Sequence, residues 1–365
     1  MRPQDLVGGE AAGCPQGGDA EGQSPFLGFI DFSASPFALG DILTWNVRVC
    51  CEALKAGKTC VDLVVLTDPV ALGSAYQRFV NHLNQLPLYL DLAAAFNANP
   101  MLRNFTHLRD RASFERLMRE TYSRGDPMFP GILEYERGML THKGLYCSHH
   151  VMNRFFHDRG FLPRLRTPQA YREQAEELLR SHGPDAFAVA VHVRRQVADA
   201  HSTSGGMVER DGDYDVWEAF FDEAQRRHPE TVFVVLGRAV EWPRHLLRRR
   251  DIVLLKCLGL GLLDELAMIE SCDLFMGLVS GPSTMAFFSD TPYALFVQEH
   301  YAPTTAAVVE VEEGAARLPF ACANQTLLWE PPTLENLLAA FEEKYAALRG
   351  QGAPGRPAQQ GLPGA

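Results

Sequence analysis

The sequence predicts an α/β protein of two halves, each a parallel sheet covered by helices. Three observations carry this. Short apolar, β-branched runs recur along the chain, and between them lie longer stretches with helical spacing of apolar residues. The alternation occurs twice, before and after a less regular middle; strands alternating with helices run parallel and carry the helices on their faces. The length of 365 residues fits about two domains at roughly 100–200 residues each.

The first half opens with the apolar run Phe26–Phe32, read as a strand, followed by a turn over Ser33–Gly40. A helical pattern begins at Asp41, runs through Ile42, Leu43, Val47 and Leu54, and ends near Gly57. Val61–Leu66 is the next strand. The middle, about 74–165, reads as helical or irregular and carries Pro87, Pro100, Pro127, Pro130 and Pro163. Ala170–Ser181 is a helix ending near Gly183. The second regular region then begins with the buried strand Phe187–Val193 and the helix Val216–Arg227. Strands follow at Thr231–Leu236 and Ile252–Leu255, a helix at Leu262–Glu270 and a strand at Leu274–Leu278. Ser283–Phe288 reads as a short helix, Tyr293–Val297 as the last clear strand, and Thr333–Leu348 as a terminal helix with Thr333 its N-cap. The boundary between halves falls within 165–185, giving domains over 25–170 and 171–349. The Gly/Pro/Gln-rich ends, 1–24 and 350–365, read as disordered tails.

Composition narrows the function. Lys and Arg total 34 against 45 Asp and Glu, a net charge of −11, so a nucleic-acid partner is not expected. The dense basic run Arg244–Arg250 reads as a solvated helix face, or as a patch for an anionic ligand or a peripheral membrane contact. The 8 cysteines show no CxxC pair and no zinc spacing, which suggests a reducing compartment. No signal peptide and no long apolar span is visible, so a cytoplasmic location is expected.

Open parallel sheets bind ligands beyond the carboxyl ends of their strands, and three stretches are placed there. The first is Ala38-Leu39-Gly40-Asp41-Ile42-Leu43, where Asp41 is either a helix cap or a carboxylate able to take a proton from an acceptor hydroxyl. The second is Val191-His192-Val193-Arg194-Arg195-Gln196. An arginine just past a buried strand offers bidentate donors to a phosphate, and stabilises a departing diphosphate without a metal. His192 is either a satisfied core histidine or a phosphate donor. The third is Ser280-Gly281-Pro282-Ser283-Thr284, between a strand and a helix. Free amides and hydroxyls at such a turn make an anion site. No GxGxxG or GxxxxGK[ST] motif occurs, which argues against the common dinucleotide enzymes and P-loop hydrolases. Asp211-Gly212-Asp213 has the letters of a metal-holding triplet but reads as a polar loop, and Cys147-Ser148-His149-His150 lacks partners at ligand spacing.

Leu262–Ala286, with Leu263, Glu265, Leu266, Ile269, Cys272–Gly277 and Ser280-Gly281-Pro282, resembles the donor-side segment of bacterial heptosyltransferase-type glycosyltransferases. Leu39-Gly40-Asp41-Ile42-Leu43 is similar to that family's first loop, where the aspartate is regarded as the catalytic base. The resemblance implies a GT-B fold: two Rossmann-like domains facing a central cleft, the acceptor on 25–170 and the nucleotide sugar on 171–349. It also implies an inverting reaction, no metal, and a place in polysaccharide biosynthesis. Val279 and Ser280 stand where the family usually has an acid and a threonine, and Thr284 where it usually has a histidine. His192-Val193-Arg194-Arg195 resembles instead the His-x-Arg motif of fucosyltransferases, although Gln196 stands where an acid often follows. The two resemblances agree on fold and reaction and differ on the donor.

The expectation is therefore transfer of a sugar from a nucleoside-diphosphate sugar to a hydroxyl of a glycan or other acceptor, with no cofactor. Asp41 would be the base. Arg194 or Arg195, with His192, Ser280, Gly281, Pro282, Ser283 and Thr284, would bind the donor. Glu265 either contacts the nucleoside or is a surface helix residue. The rivals are a sugar-nucleotide epimerase on the same architecture and a non-catalytic relic that binds a ligand or partner.

Overall fold

The computed structural model describes residues 24–31, 38–67, 89–90, 92–129, 149–195, 211–299 and 302–350. Nearly all of the predicted tails, the turn residues 32–37, and Cys147, Ser148 and Gln196 lie outside the described residues.

The first half is β1 (Phe26–Asp31), α1 (Leu39–Lys55), β2 (Val61–Leu66), β3 (Leu102–Leu108), α2 (Arg111–Arg124) and β4 (Met128–Phe129). The strands form one parallel sheet in the order β3-β2-β1-β4. Two helices follow, α3 (His149–Arg159) and α4 (Gln169–Arg180). The second half is β5 (Phe187–His192), α5 (Tyr214–Arg227), β6 (Thr231–Val235), β7 (Ile252–Leu254), α6 (Leu262–Ser271), β8 (Leu274–Leu278), α7 (Ser283–Phe287), β9 (Tyr293–Phe296), α8 (Ala302–Val309), β10 (Gln325–Leu328) and α9 (Leu334–Gly350). Its six-stranded parallel sheet runs β10-β9-β8-β5-β6-β7. Counted within this half, that is the doubly wound order 3-2-1-4-5-6 read from the other edge.

The central strands β5, β8 and β9 are buried on both faces, as helices on both sides of a parallel sheet require. On one face α5 and α9 pack an aromatic cluster of Trp217, Phe220, Phe221, Phe233 and Phe341. On the other, α6 and α7 belong to a cluster that continues into the first half through Phe155, Phe96, Trp45 and Ile42. The segment 161–168 is tied to both sheets' helices. The Arg166 amide donates to the Ala98 carbonyl at 3.0 Å, and the Leu165 amide to that of Phe288 at 2.7 Å. The Arg166 guanidinium reaches Glu270 at 2.9 Å and Asp290 at 2.6 Å.

Three expectations need correction. The middle is more regular than expected, because it contains β3, α2 and β4. β3 is an edge strand whose central residues face solvent, so its sequence, LRNFTHL, carries no apolar run. Tyr293–Val297 is not the last strand. β10 pairs with β9, and opens on Gln325. That glutamine is fully buried, and its side-chain amide donates to the carbonyls of Ala286, Ser289 and Thr291 at 3.3, 3.0 and 2.9 Å. Arg244–Arg250 is not a helix face: the run holds one short turn over Leu246–Arg248. Within it Arg249 turns inward to Asp222 and Asp251, while Arg244, Arg248 and Arg250 are exposed. Thr333 does cap the last helix, accepting from the Asn336 amide at 3.2 Å. Among the described residues no helix is long and apolar enough to cross a membrane.

Candidate active site

The strand order marks a candidate site. In the second sheet the chain runs outward from β5 through β6 and β7, then returns to β8 on the other side of β5. Ligands of open parallel sheets bind beyond the carboxyl ends of the strands at such a reversal. His192 is the last residue of β5, and β8 leads into the Ser280–Thr284 turn, so two of the predicted stretches meet there.

His192 is aligned with Gly277 across the β5–β8 pair. A Cβ on Gly277 would sit 2.6 Å from the His192 carbonyl oxygen, so only glycine permits this approach. The His192 ring Nδ1 lies 2.9 Å from Ser280 Oγ. Burial, with a smaller contribution from Arg194, pushes the His192 pKa down to about 4. The ring is therefore neutral at pH 7, one nitrogen donating and the other accepting. Its Nε2 edge faces the loop after β6: a Cβ on Gly237 would lie 3.2 Å from Nε2 and 3.3 Å from Glu241 Oε2. Glu241 is paired with Arg238 at 2.8 Å, and burial raises its pKa.

In the Ser280–Thr284 turn, the Ser283 hydroxyl accepts from the Ser280 amide at 2.8 Å and donates to the Ser280 carbonyl at 2.7 Å. Thr284 Oγ1 donates to the same carbonyl at 3.4 Å. Ser283 is fully buried, so its hydroxyl closes the turn, whereas Gly281 and Pro282 form a half-buried crest.

The two arginines differ. Arg194 Nη1 holds Asp211 Oδ1 at 2.9 Å, and the Gly212 amide donates to the Arg194 carbonyl at 2.7 Å. Arg195 is exposed. The Asp211-Gly212-Asp213 loop is thus bound to the end of β5, and Asp213 caps α5 by accepting from the Asp215 amide at 3.0 Å. Glu265 is not a surface residue, being 7% exposed. Its Oε1 accepts from the Gly237 amide at 3.0 Å, and its Oε2 lies 3.3 Å from Lys256 Nζ. Burial raises its pKa and Lys256 opposes that rise.

Asp41 is the third residue of α1, because the helix starts at Leu39 with Ala38 in the N-cap position. Its carboxylate accepts from the Ala38 amide at 3.1 Å. The capping contribution therefore exists, but it acts backward onto the N-cap amide. α1 packs against α7, which brings Gly40, beside Asp41, onto Gly281 and Thr284. All three predicted stretches thus converge.

Sequence reasoning missed Gly237, Glu241 and Lys256, which lie just past the ends of β6 and β7. It also missed the carboxyl edge of the first sheet. There Asp31, buried at the end of β1, pairs with Arg111 at 2.9 Å. Thr67 Oγ1 lies 2.5 Å from His107 Nε2, and the Tyr89 ring packs 4.7 Å from that of His107. Position after a strand was the available signal for Gly237 and Lys256. Among the described residues one group, Asp215, Glu218 and His245, places three ligand-type atoms within 4.8 Å of one another. It lies on α5 and the loop after β6, and its His245 Nε2 is 2.5 Å from Glu218 Oε1.

No protein-family model matches the sequence, and no curated protein matches it. Solved structures do share the fold. A glycosyl transferase family 9 protein from Veillonella parvula aligns with a TM-score of 0.50 at 13% identity, over 88% of this chain and 97% of that one. The E. coli ADP-heptose LPS heptosyltransferase II aligns with a TM-score of 0.50 at 11% identity, over 89% of this chain and 99% of that one. The chain therefore has the α/β, GT-B-like fold of these glycosyltransferases.

Proposed function

We propose that the protein is an inverting, metal-independent glycosyltransferase that moves a sugar from a nucleoside-diphosphate sugar to an acceptor hydroxyl. The observation that carries this is the convergence of Asp41, the His192–Arg195 stretch and the Ser280–Thr284 turn at the strand-order reversal. Fold alone would not suffice, because function lives in the site.

In this reading the diphosphate lies over the crest of the Ser280–Thr284 turn, with Ser283 shaping the turn rather than touching the ligand. Arg195 and Arg194 stabilise the charge that develops on the leaving group, and Asp211 orients Arg194. His192, neutral and hydrogen-bonded to Ser280, fixes the turn against β5. Glu265, Lys256 and Gly237 form one bonded wall beside it, facing the nucleoside. Asp41 accepts the proton of the acceptor hydroxyl as that oxygen attacks the anomeric carbon from the face opposite the diphosphate. The acceptor lies along the carboxyl edge of the first sheet.

A thermal-shift screen against UDP-, GDP-, ADP- and CMP-sugars tests the reading, because a true donor stabilises the folded state by mass action. A UDP-, GDP- or ADP-sugar should raise the melting temperature, and the matching nucleoside diphosphate should be released faster with acceptor than without. A response to CMP-sugar alone, whose leaving group is a monophosphate, would contradict the diphosphate reading. Isomerisation of the donor with no acceptor would favour an epimerase. No response to any of the four would favour a non-catalytic protein.

A further inference from the structure

The two halves meet glycine to glycine. A Cβ on Gly40 would lie 3.0 Å from Thr284 Oγ1 and 3.5 Å from Gly281 Cα. A Cβ on Gly281 would lie 3.1 Å from Leu39 Cβ and 3.4 Å from the Gly40 amide nitrogen. Neither position requires glycine for its own backbone, since neither is among the positive-φ residues. Gly40 also sits inside the first turn of α1, where alanine is the better helix former. Local structure therefore disfavours glycine at Gly40, and only the approach of the opposite half accounts for it.

We propose that Gly40 and Gly281 are positioning residues that set the distance between the proton-accepting group and the donor. The inference rests on the reading of Asp41 as base and of the Ser280–Thr284 turn as diphosphate site. Gly40 is the residue before Asp41, and Gly281 lies at the crest of the turn. A methyl group at either position wedges α1 away from α7. The donor half keeps its own bonds, His192 to Ser280 and Ser283 to Ser280, so nucleotide binding survives. Transfer slows, because at these distances the neighbour must give by a few tenths of an ångström, and rate falls steeply with misplacement, about 1 Å costing roughly a hundredfold.

The contact at Gly40 offers a rescue. Thr284 Oγ1 is the atom that a new methyl would meet, while Thr284 Cβ stands back at 4.0 Å. Turnover, nucleotide affinity by calorimetry and melting temperature are measured for the parent, Gly40→Ala, Thr284→Ala and the double variant, using the nucleotide sugar that stabilises the parent. Gly40→Ala should lose kcat several-fold while nucleotide Kd stays near that of the parent. The double variant should turn over at the rate of Thr284→Ala alone. Parental turnover in Gly40→Ala, or a Gly40→Ala change that slows the Thr284→Ala background by the same factor as it slows the parent, would overturn the inference and leave the proposed reaction standing. Loss of nucleotide affinity along with kcat in Gly40→Ala would overturn it too, since the glycine would then serve folding alone. A parent that binds and turns over none of the four sugars would overturn both.

Discussion

His192 Nδ1 and Ser280 Oγ lie 2.9 Å apart, joining the end of β5 to the turn after β8 across the point where strand order reverses. The bond is buried, and His192 is neutral there because its pKa is held near 4. His149 is buried as well, with its pKa also lowered to about 4 by burial. For both, the folded-state value lies below the unfolded value of 6.5. The unfolded chain therefore binds more protons between those values. Stability is full above about pH 6.5 and falls as pH drops toward 4. By pH 5 the loss should be about 2 kcal/mol for each histidine. Urea unfolding at pH 7.5 and pH 5 checks this, and His192→Gln should shrink the difference. An unchanged difference in that variant would mean that His192 is not the group that titrates.

The arginines should act on the donor. Removal of a charge-assisted hydrogen bond costs about 1.5–3 kcal/mol. Arg195→Ala should weaken nucleotide binding by that amount. Arg194→Ala should do the same and also free Asp211, its partner at 2.9 Å. Calorimetry with unchanged affinity in both variants would remove the diphosphate from this end of β5.

Metal removal should leave the reaction intact. The carboxylates of the Asp211-Gly212-Asp213 triplet already serve the protein, Asp211 on Arg194 and Asp213 on the Asp215 amide at the start of α5. Full turnover in EDTA is the expected result. Activity lost to chelation and restored by manganese or magnesium would contradict it, and would direct attention to Asp215, Glu218 and His245.

The sequence conveyed the second half better than the first, for physical reasons. Strands buried on both faces, such as Phe187–His192 and Leu274–Leu278, are continuous apolar runs that announce themselves. β3 is a polar edge strand, and β10 opens on a buried glutamine whose bonds come from distant carbonyls, so neither has a local pattern. In the candidate site, residues that follow strands were legible as a group: His192, the arginines and the Ser280–Thr284 turn. Their partners were not, because Asp211 with Arg194 and Glu265 with Gly237 are pairings between segments far apart in sequence. The exposed-helix alternative for Glu265 failed for the same reason: its burial depends on Lys256 and the end of β6.

The claim that Asp41 takes the acceptor proton is tested most directly by Asp41→Asn. Asparagine keeps the size of the side chain and an oxygen for the Ala38 amide, which Asp41 now meets at 3.1 Å. Folding should therefore change little. Positioned base catalysis contributes roughly 10²–10⁴-fold. Turnover of the variant, read as nucleoside-diphosphate release with acceptor present, should fall by about that factor, with donor Kd unchanged. A variant that turns over within a few-fold of the parent would contradict the account and leave Asp41 as a structural cap on α1.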